Sequence, residues 1–176
     1  ERALRIAQYI GAAGFAAEAS EIWLEVEPDD PGAVQAAAQV ALGRKAFDQS
    51  LELYTRFYDM TGVAQFDFYA AALLPNDETV RGDQLSDLEA LSQTYPESGN
   101  LVYGQALLLQ SLGQGDAAIQ RIDQALKLEP GLLPAAVQKA RILARNQRVD
   151  EAIDWLDKLL DDHPDNKQIA VLRARM

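Results

Sequence analysis

The sequence repeats itself every 34 residues, and no other feature narrows its possible folds as much. The segment LEVEPDDPGAVQAAA at 24–38 returns as LKLEPGLLPAAVQKA at 126–140, a separation of 102 positions, or three times 34. In rows of that length one column holds Pro28, Pro96, Pro130 and Pro164, with Gly62 in the remaining slot. Twelve positions earlier stand Ala16, Ser50, Gln84, Ala118 and Ala152, followed by Ala17, Leu51, Leu85, Ile119 and Ile153. Five positions before the proline come Trp23, Phe57, Leu91, Ala125 and Leu159. The front of each row reads Leu4, Ala38, Ala72, Ala106 and Ala140, then Ile6, Val40, Leu74, Leu108 and Ile142. Five rows fit with no net insertion or deletion, so each row is one structural unit.

The chemistry of a row is that of two helices. In DEAIDWLDKLL, Ala152, Ile153, Leu156, Leu159 and Leu160 recur at helical spacing and form one apolar stripe. A small residue such as Ala106 or Ala140 lets a second helix approach where a larger side chain would hold it off. Pro130 and Pro164 stop their helices, since proline cannot continue one. Between the two helices of a row, Gly113-Gln114-Gly115-Asp116 supplies turn glycines and a capping aspartate. Such a hairpin cannot bury its stripe alone and needs neighbours stacked on both sides. Composition agrees: 48% apolar and 24% charged residues suit a folded soluble domain, and alanine and leucine dominate over the 7% aromatics.

This period and column chemistry resemble the tetratricopeptide repeat over the whole chain, most closely in GQGDAAIQRIDQALKLEP at 113–130 and QRVDEAIDWLDKLLDDHP at 147–164. The resemblance implies an all-α solenoid of about five antiparallel helix pairs in a right-handed superhelix, plus an unpaired terminal helix near 166–175. Repeats fall at approximately 1–30, 31–64, 65–98, 99–132 and 133–166, with a partial sixth at 167–176. Helix pairs are expected at about 1–27, 31–60, 63–95, 98–128 and 132–163. The first row has two registers, one through Gly14, Ala19, Trp23 and Pro31 and one through Gly11, Ala16 and Pro28. In the third row Pro75 and Gly82 predict a first helix ending at about Leu74 and a longer loop over 75–83. The chain opens at Glu1 rather than Met and closes on KQIAVLRARM, which reads as an unfinished first helix and so as a segment of a longer array. Ile169, Val171 and Leu172 on that helix lack a following helix, which predicts end-to-end self-association.

Sixteen basic against 27 acidic side chains leave a net charge of −11, which argues against nucleic acid and anionic lipid as main partners. No stretch reaches the roughly 18 apolar residues of a membrane span. The absence of cysteine excludes disulfides and thiol nucleophiles. His163, the single histidine, sits in DDHPDN, where a solvated acidic turn is favoured over a metal site with Asp161, Asp162 and Asp165. PDDPG at 28–32 lacks the ligand series of a calcium loop. Neither a phosphate-cradling loop nor a catalytic triad is expected. The chain reads as non-enzymatic, without cofactor or metal.

The resemblance also implies a groove lined by the first helix of each pair. Carried onto this sequence, its lining is Gln35 and Gln39, then Phe66, Tyr69 and Leu73, then Tyr103, Leu107, Gln110 and Ser111, then Gln138, Arg141 and Arg145. Tyr69 and Tyr103 are expected to present ring and hydroxyl to a partner, while Leu73 and Leu107 either face the groove or pack against the next repeat. The lysine and asparagine set that clamps a carboxyl-terminal carboxylate in some members is missing. The implied function is a scaffold or adaptor that holds a peptide with apolar anchors and an acidic group. The alternatives are a helical domain of a larger enzyme and a cytoplasmic assembly scaffold. Residues 1–30 and 73–109 further resemble the tetratricopeptide lipoproteins of the gammaproteobacterial outer membrane. Some of these bind a carboxyl-terminal processing protease and deliver substrates to it, which implies a place on the periplasmic side of that membrane.

Overall fold

A computed structural model describes residues 2, 3, 9 and 11–176. The first helix expected in row one, with Leu4 and Ile6, lies outside the described residues. Among those residues there are ten helices and no strand. They belong to two compact units, 1–72 and 73–176.

The repeat is written into the backbone as well as the sequence. Gly11, Lys45, Gly113 and Gln147 all adopt a positive φ, at 68°, 61°, 77° and 62°. Their numbers differ by 34, 68 and 34, so the same left-handed joint opens the second helix of four rows. Five residues beyond each joint the small column is buried, at Ala16, Ser50, Ala118 and Ala152. The Gly11 register is therefore the one the first row adopts, and the Gly14 register is not. First helices are capped on the same period by Asp30, Ser98 and Asn166, whose side-chain oxygens accept from backbone N–H groups of the first turn.

Unit 1 contains α1 (Ala13–Val26), α2 (Pro31–Gly43), α3 (Phe47–Thr61) and most of α4 (Phe66–Leu73). Seven residues of α2 are buried, five of them alanine. That small surface lets α3 come close enough for Ser50 Oγ to donate to the Ala38 carbonyl at 2.9 Å. The two small columns of the sequence are thus one contact. Proline at 28 ends α1 at its Glu27 cap, whereas Gly62 keeps an N–H, donates it to the Tyr58 carbonyl and turns left-handed at φ 70°. Beyond α3 the core is aromatic: Tyr54 meets Tyr69 and Phe68 edge-on, and Tyr58 meets Phe66, at centroid separations of 5.7–6.3 Å.

Unit 2 contains α5 (Glu78–Leu91), α6 (Gly99–Ser111), α7 (Gly115–Leu128), α8 (Leu133–Arg145), α9 (Val149–Asp162) and α10 (Lys167–Ala174). Consecutive helices from α5 to α10 pack in order along the chain. α6 is its centre, buried from Gly99 through Leu109. Its Gln105 carries the polar load of that burial, donating to the Leu88 carbonyl and to Ser92 Oγ at 2.9 and 2.6 Å.

Two expectations are corrected here. α4 stops at Leu73 as Pro75 demands, but the long loop over 75–83 does not form. Asp77 caps the Val80 N–H at 3.0 Å and starts α5 at Glu78, leaving only residues 74–77 between the helices and Gly82 inside α5. At the other end, Ile169 is fully buried against Ala136, Val137, Ala140, Leu156 and Leu159, with Leu172 packed beside it. Of the apolar trio expected to be uncovered on α10, only Val171 is exposed.

Candidate functional site

The residues expected to line a groove separate by burial. Phe66, Tyr69 and Leu73 are wholly inside, and Tyr103 and Leu107 are buried as well. The expected aromatic centre is therefore buried and not exposed. Tyr69 is enclosed by aromatic bulk from α3, and its hydroxyl points to the Phe47 carbonyl at 3.4 Å. The Tyr103 hydroxyl is directed to the Pro134 carbonyl on the next first helix, also at 3.4 Å.

The polar members stay accessible. In unit 1, Gln39 is exposed and Gln35 half-buried on α2. In unit 2, Gln138 Nε2 on α8 donates to Gln110 Oε1 on α6, with Ser111 half-buried beside it. Ser111 also carries a contact that sequence reasoning missed, because Arg81 Nη1 donates to its carbonyl at the end of α6. Arg141 and Arg145 are exposed one turn apart on α8, and neither forms an ion pair among the described residues. Arg44, Arg56, Arg121, Arg148 and Arg173 each have a carboxylate partner. Gln110, Gln138, Arg141 and Arg145 thus form a polar strip on consecutive first helices, with two guanidinium groups exposed to an anion.

A second concavity went unnoticed in the sequence. Residues of α7, α8 and α9 line a cleft of about 380 Å³. Lys139 crosses it, its Nζ 2.6 Å from Asp123 Oδ1 and 4.2 Å from the centre of the Trp155 ring. Trp155 Nε1 donates to the Ala136 carbonyl at 2.8 Å, which fixes the ring. At the rim Arg148 donates to both oxygens of Glu151, at 2.7 and 2.8 Å, and reaches Asp116 at 3.3 Å. The hydrogen bond from Arg148 holds the Glu151 carboxyl below the usual range. Hydroxyl, thiol and imidazole groups do not line this cleft, and its central charges already neutralise one another. It clamps one repeat to the next. Among the described residues no group of three His, Asp or Glu is placed to hold a metal, and no helix is long and apolar enough to cross a membrane.

Comparison with known proteins matches this geometry. Residues 109–176 match the tetratricopeptide repeat family. Residues 109–176 are tetratricopeptide repeats. A TPR repeat-containing protein of Pseudomonas aeruginosa is 31% identical over 174 residues, covering 99% of this chain but 29% of its own length. The chain thus spans less than a third of that relative. A thermophilic TPR protein of Thermus thermophilus superposes with a TM-score of 0.65 at 22% identity, over 99% of this chain and 95% of its own. YrrB, described as a TPR protein with an unusual peptide-binding site, superposes at 0.57 with 15% identity, over 98% and 89% of the two chains. At these identities the structures establish the fold. TPR proteins serve as protein-interaction scaffolds.

Proposed function

We propose that this chain is a non-catalytic interaction module that holds a partner polypeptide along the first-helix face of unit 2. Gln110, Gln138, Arg141 and Arg145 are its polar contacts, over a floor that includes Tyr103 and Leu107. One observation carries the reading. Arg141 and Arg145 are exposed without carboxylate partners among the described residues, in a chain of net charge −11 that has acidic groups to spare. A partner bearing a carboxylate beside apolar residues would supply the missing charge and pack on the strip. Gln35 and Gln39 give unit 1 an uncharged face of the same type.

In its finer form, the partner is a carboxyl-terminal processing protease or its substrate, met on the periplasmic side of the outer membrane. The resemblance of residues 1–30 and 73–109 to envelope adaptors supports that form. Photo-crosslinking in the cell of origin tests both levels. A crosslinker at Gln138 is expected to trap a polypeptide, one at Lys158 on α9 is not, and Arg141→Ala with Arg145→Ala is expected to abolish the product. Crosslinks from Lys158 alone would overturn the reading, and a trapped protein unrelated to proteolysis would overturn its finer form.

A further inference from the structure

α1 carries three large apolar side chains that nothing among the described residues of unit 1 covers. Phe15, Ile22 and Val26 are 69%, 53% and 71% exposed. At i, i+7 and i+11 they fall within about 40° of one another on the helix circumference and make one stripe. The opposite side of α1 is the packed one, with Ala16 and Ser20 buried.

The 34-residue register decides what such a stripe can be for. The equivalents of Ile22 are Arg56, Ala90, Gln124 and Lys158, and those of Phe15 are Gln49, Asp83, Ala117 and Glu151. Gln124 remains exposed although its helix α7 packs on α6 of its own repeat and α8 of the following one, and its Arg121 reaches Glu89 of the preceding repeat at 3.1 Å. The position therefore faces outward even in a flanked repeat, and a further repeat stacked before α1 would leave Ile22 uncovered. Elsewhere the chain fills this position with a charge, an amide or alanine, and only here with a large aliphatic residue. At Phe15 and Ile22, apolar surface placed where the array itself has no use for it marks an external contact.

Charge identifies the occupant. α1 contains Glu18, Glu21 and Glu25, all exposed, and no basic residue. Glu18 and Glu25 border the stripe on one flank. A second copy would set these carboxylates against their own kind on a chain of net charge −11, and an anionic membrane would repel them. We propose that the Phe15–Ile22–Val26 stripe docks a cationic amphipathic helix of a partner protein, separately from the strip on α6 and α8. Its apolar face covers the stripe and its lysines or arginines meet Glu18 and Glu25.

The probe is a fluorescein-labelled synthetic helix of about 18 residues, leucine on one face and lysine on its flanks, titrated by fluorescence anisotropy. Phe15→Ser with Ile22→Ser, checked for unchanged circular dichroism, is expected to weaken binding about tenfold or more. Glu18→Gln with Glu25→Gln is expected to weaken it about three- to tenfold and to flatten its salt dependence, without touching the fold. Replacing the probe's lysines by glutamate abolishes binding at this stripe. Affinity indifferent to Phe15 and Ile22 would overturn the proposal. So would a dimer in light scattering that Ile22→Ser dissolves, or sedimentation with uncharged phosphatidylcholine vesicles that depends on the same two residues. Arg141→Ala with Arg145→Ala leaves this binding unchanged, so the two surfaces stand or fall apart.

Discussion

Lys139 and Arg173, 34 residues apart, reach back to Asp123 and Asp157, themselves 34 residues apart, at 2.6 Å and at 2.9–3.1 Å. The same rung thus recurs in successive repeats, from the seventh place of a first helix to the preceding second helix. Gln105 occupies that place one repeat earlier and bonds Leu88 and Ser92 instead. The rung changes its chemistry and keeps its position.

The Arg173 rung makes a pH-dependent signature. The guanidinium hydrogen bond, helped by its charge, holds the Asp157 carboxyl below the usual carboxylate value, against a smaller opposing effect of desolvation. A depressed folded value means that the pair's stabilisation is present above the ordinary carboxylate range and is lost as pH falls through the folded value. A carbon-detected NMR titration is expected to find Asp157 titrating below the ordinary aspartate value. Arg173→Ala returns it toward that value. An Asp157 midpoint unmoved by the substitution would show that the rung is not formed in solution.

Two glycines give opposite results on replacement by alanine. A Cβ at Gly99 would meet the Ala125 carbonyl oxygen at 2.8 Å and Glu129 Cβ at 2.9 Å, where α6 begins against the end of α7. Gly99→Ala is expected to cost about 1–3 kcal/mol. Gly82 lies within α5 with nothing within 4 Å of its Cβ position, so Gly82→Ala is expected to add about 0.5–1 kcal/mol. Denaturant midpoints read both. A loss at Gly82 would show that α5 does not run through it.

The hydroxyl of Tyr54 is fully buried, and no protein group among the described residues accepts its proton. Burial also pushes its pKa well above the ordinary phenol value. Tyr54→Phe keeps the ring's edge contacts with Phe68 and Tyr69 and removes the unpaired group. It is expected to raise stability by about 1 kcal/mol, or about 2–4 °C in the unfolding midpoint. A lowered midpoint would mean that the hydroxyl is satisfied.

The fold was legible because repetition multiplies weak signals. Small columns, prolines and joints placed the helices from 31 onward to within a few residues, and they agree with Asp30, Ser98 and Asn166 as caps. The third repeat was only half legible. Pro75 stopped α4, but the cap that started α5 was Asp77, three residues ahead of the register, and Gly82 was a weaker breaker than that cap was a starter. In the candidate site, place within the row goes with an accessible side chain at Arg141 and Arg145 and a half-buried one at Gln138, but with a buried one at Tyr69. A place says which way a side chain leaves the helix, not how much bulk Tyr54 brings to meet it. The cleft around Lys139 joins three helices and has no local motif. Its only trace in the sequence is that Lys139 and Asp123 both have charge-matched residues, Arg173 and Asp157, one period later.

The interaction strip is tested most directly with a labelled acidic peptide of about 15 residues, built of leucine, alanine and glutamate and titrated by anisotropy. A chain of net charge −11 repels such a peptide everywhere except where unpaired cations stand. Binding is expected for the unaltered chain, about tenfold weaker for Arg141→Ala with Arg145→Ala, and largely kept for lysine at both places. The Arg173→Ala variant, altered on a cation that already has its carboxylate, binds as the unaltered chain does. Equal affinity in the unaltered and double-alanine chains, with their helical content the same, would contradict the assignment of this strip as the partner-binding surface.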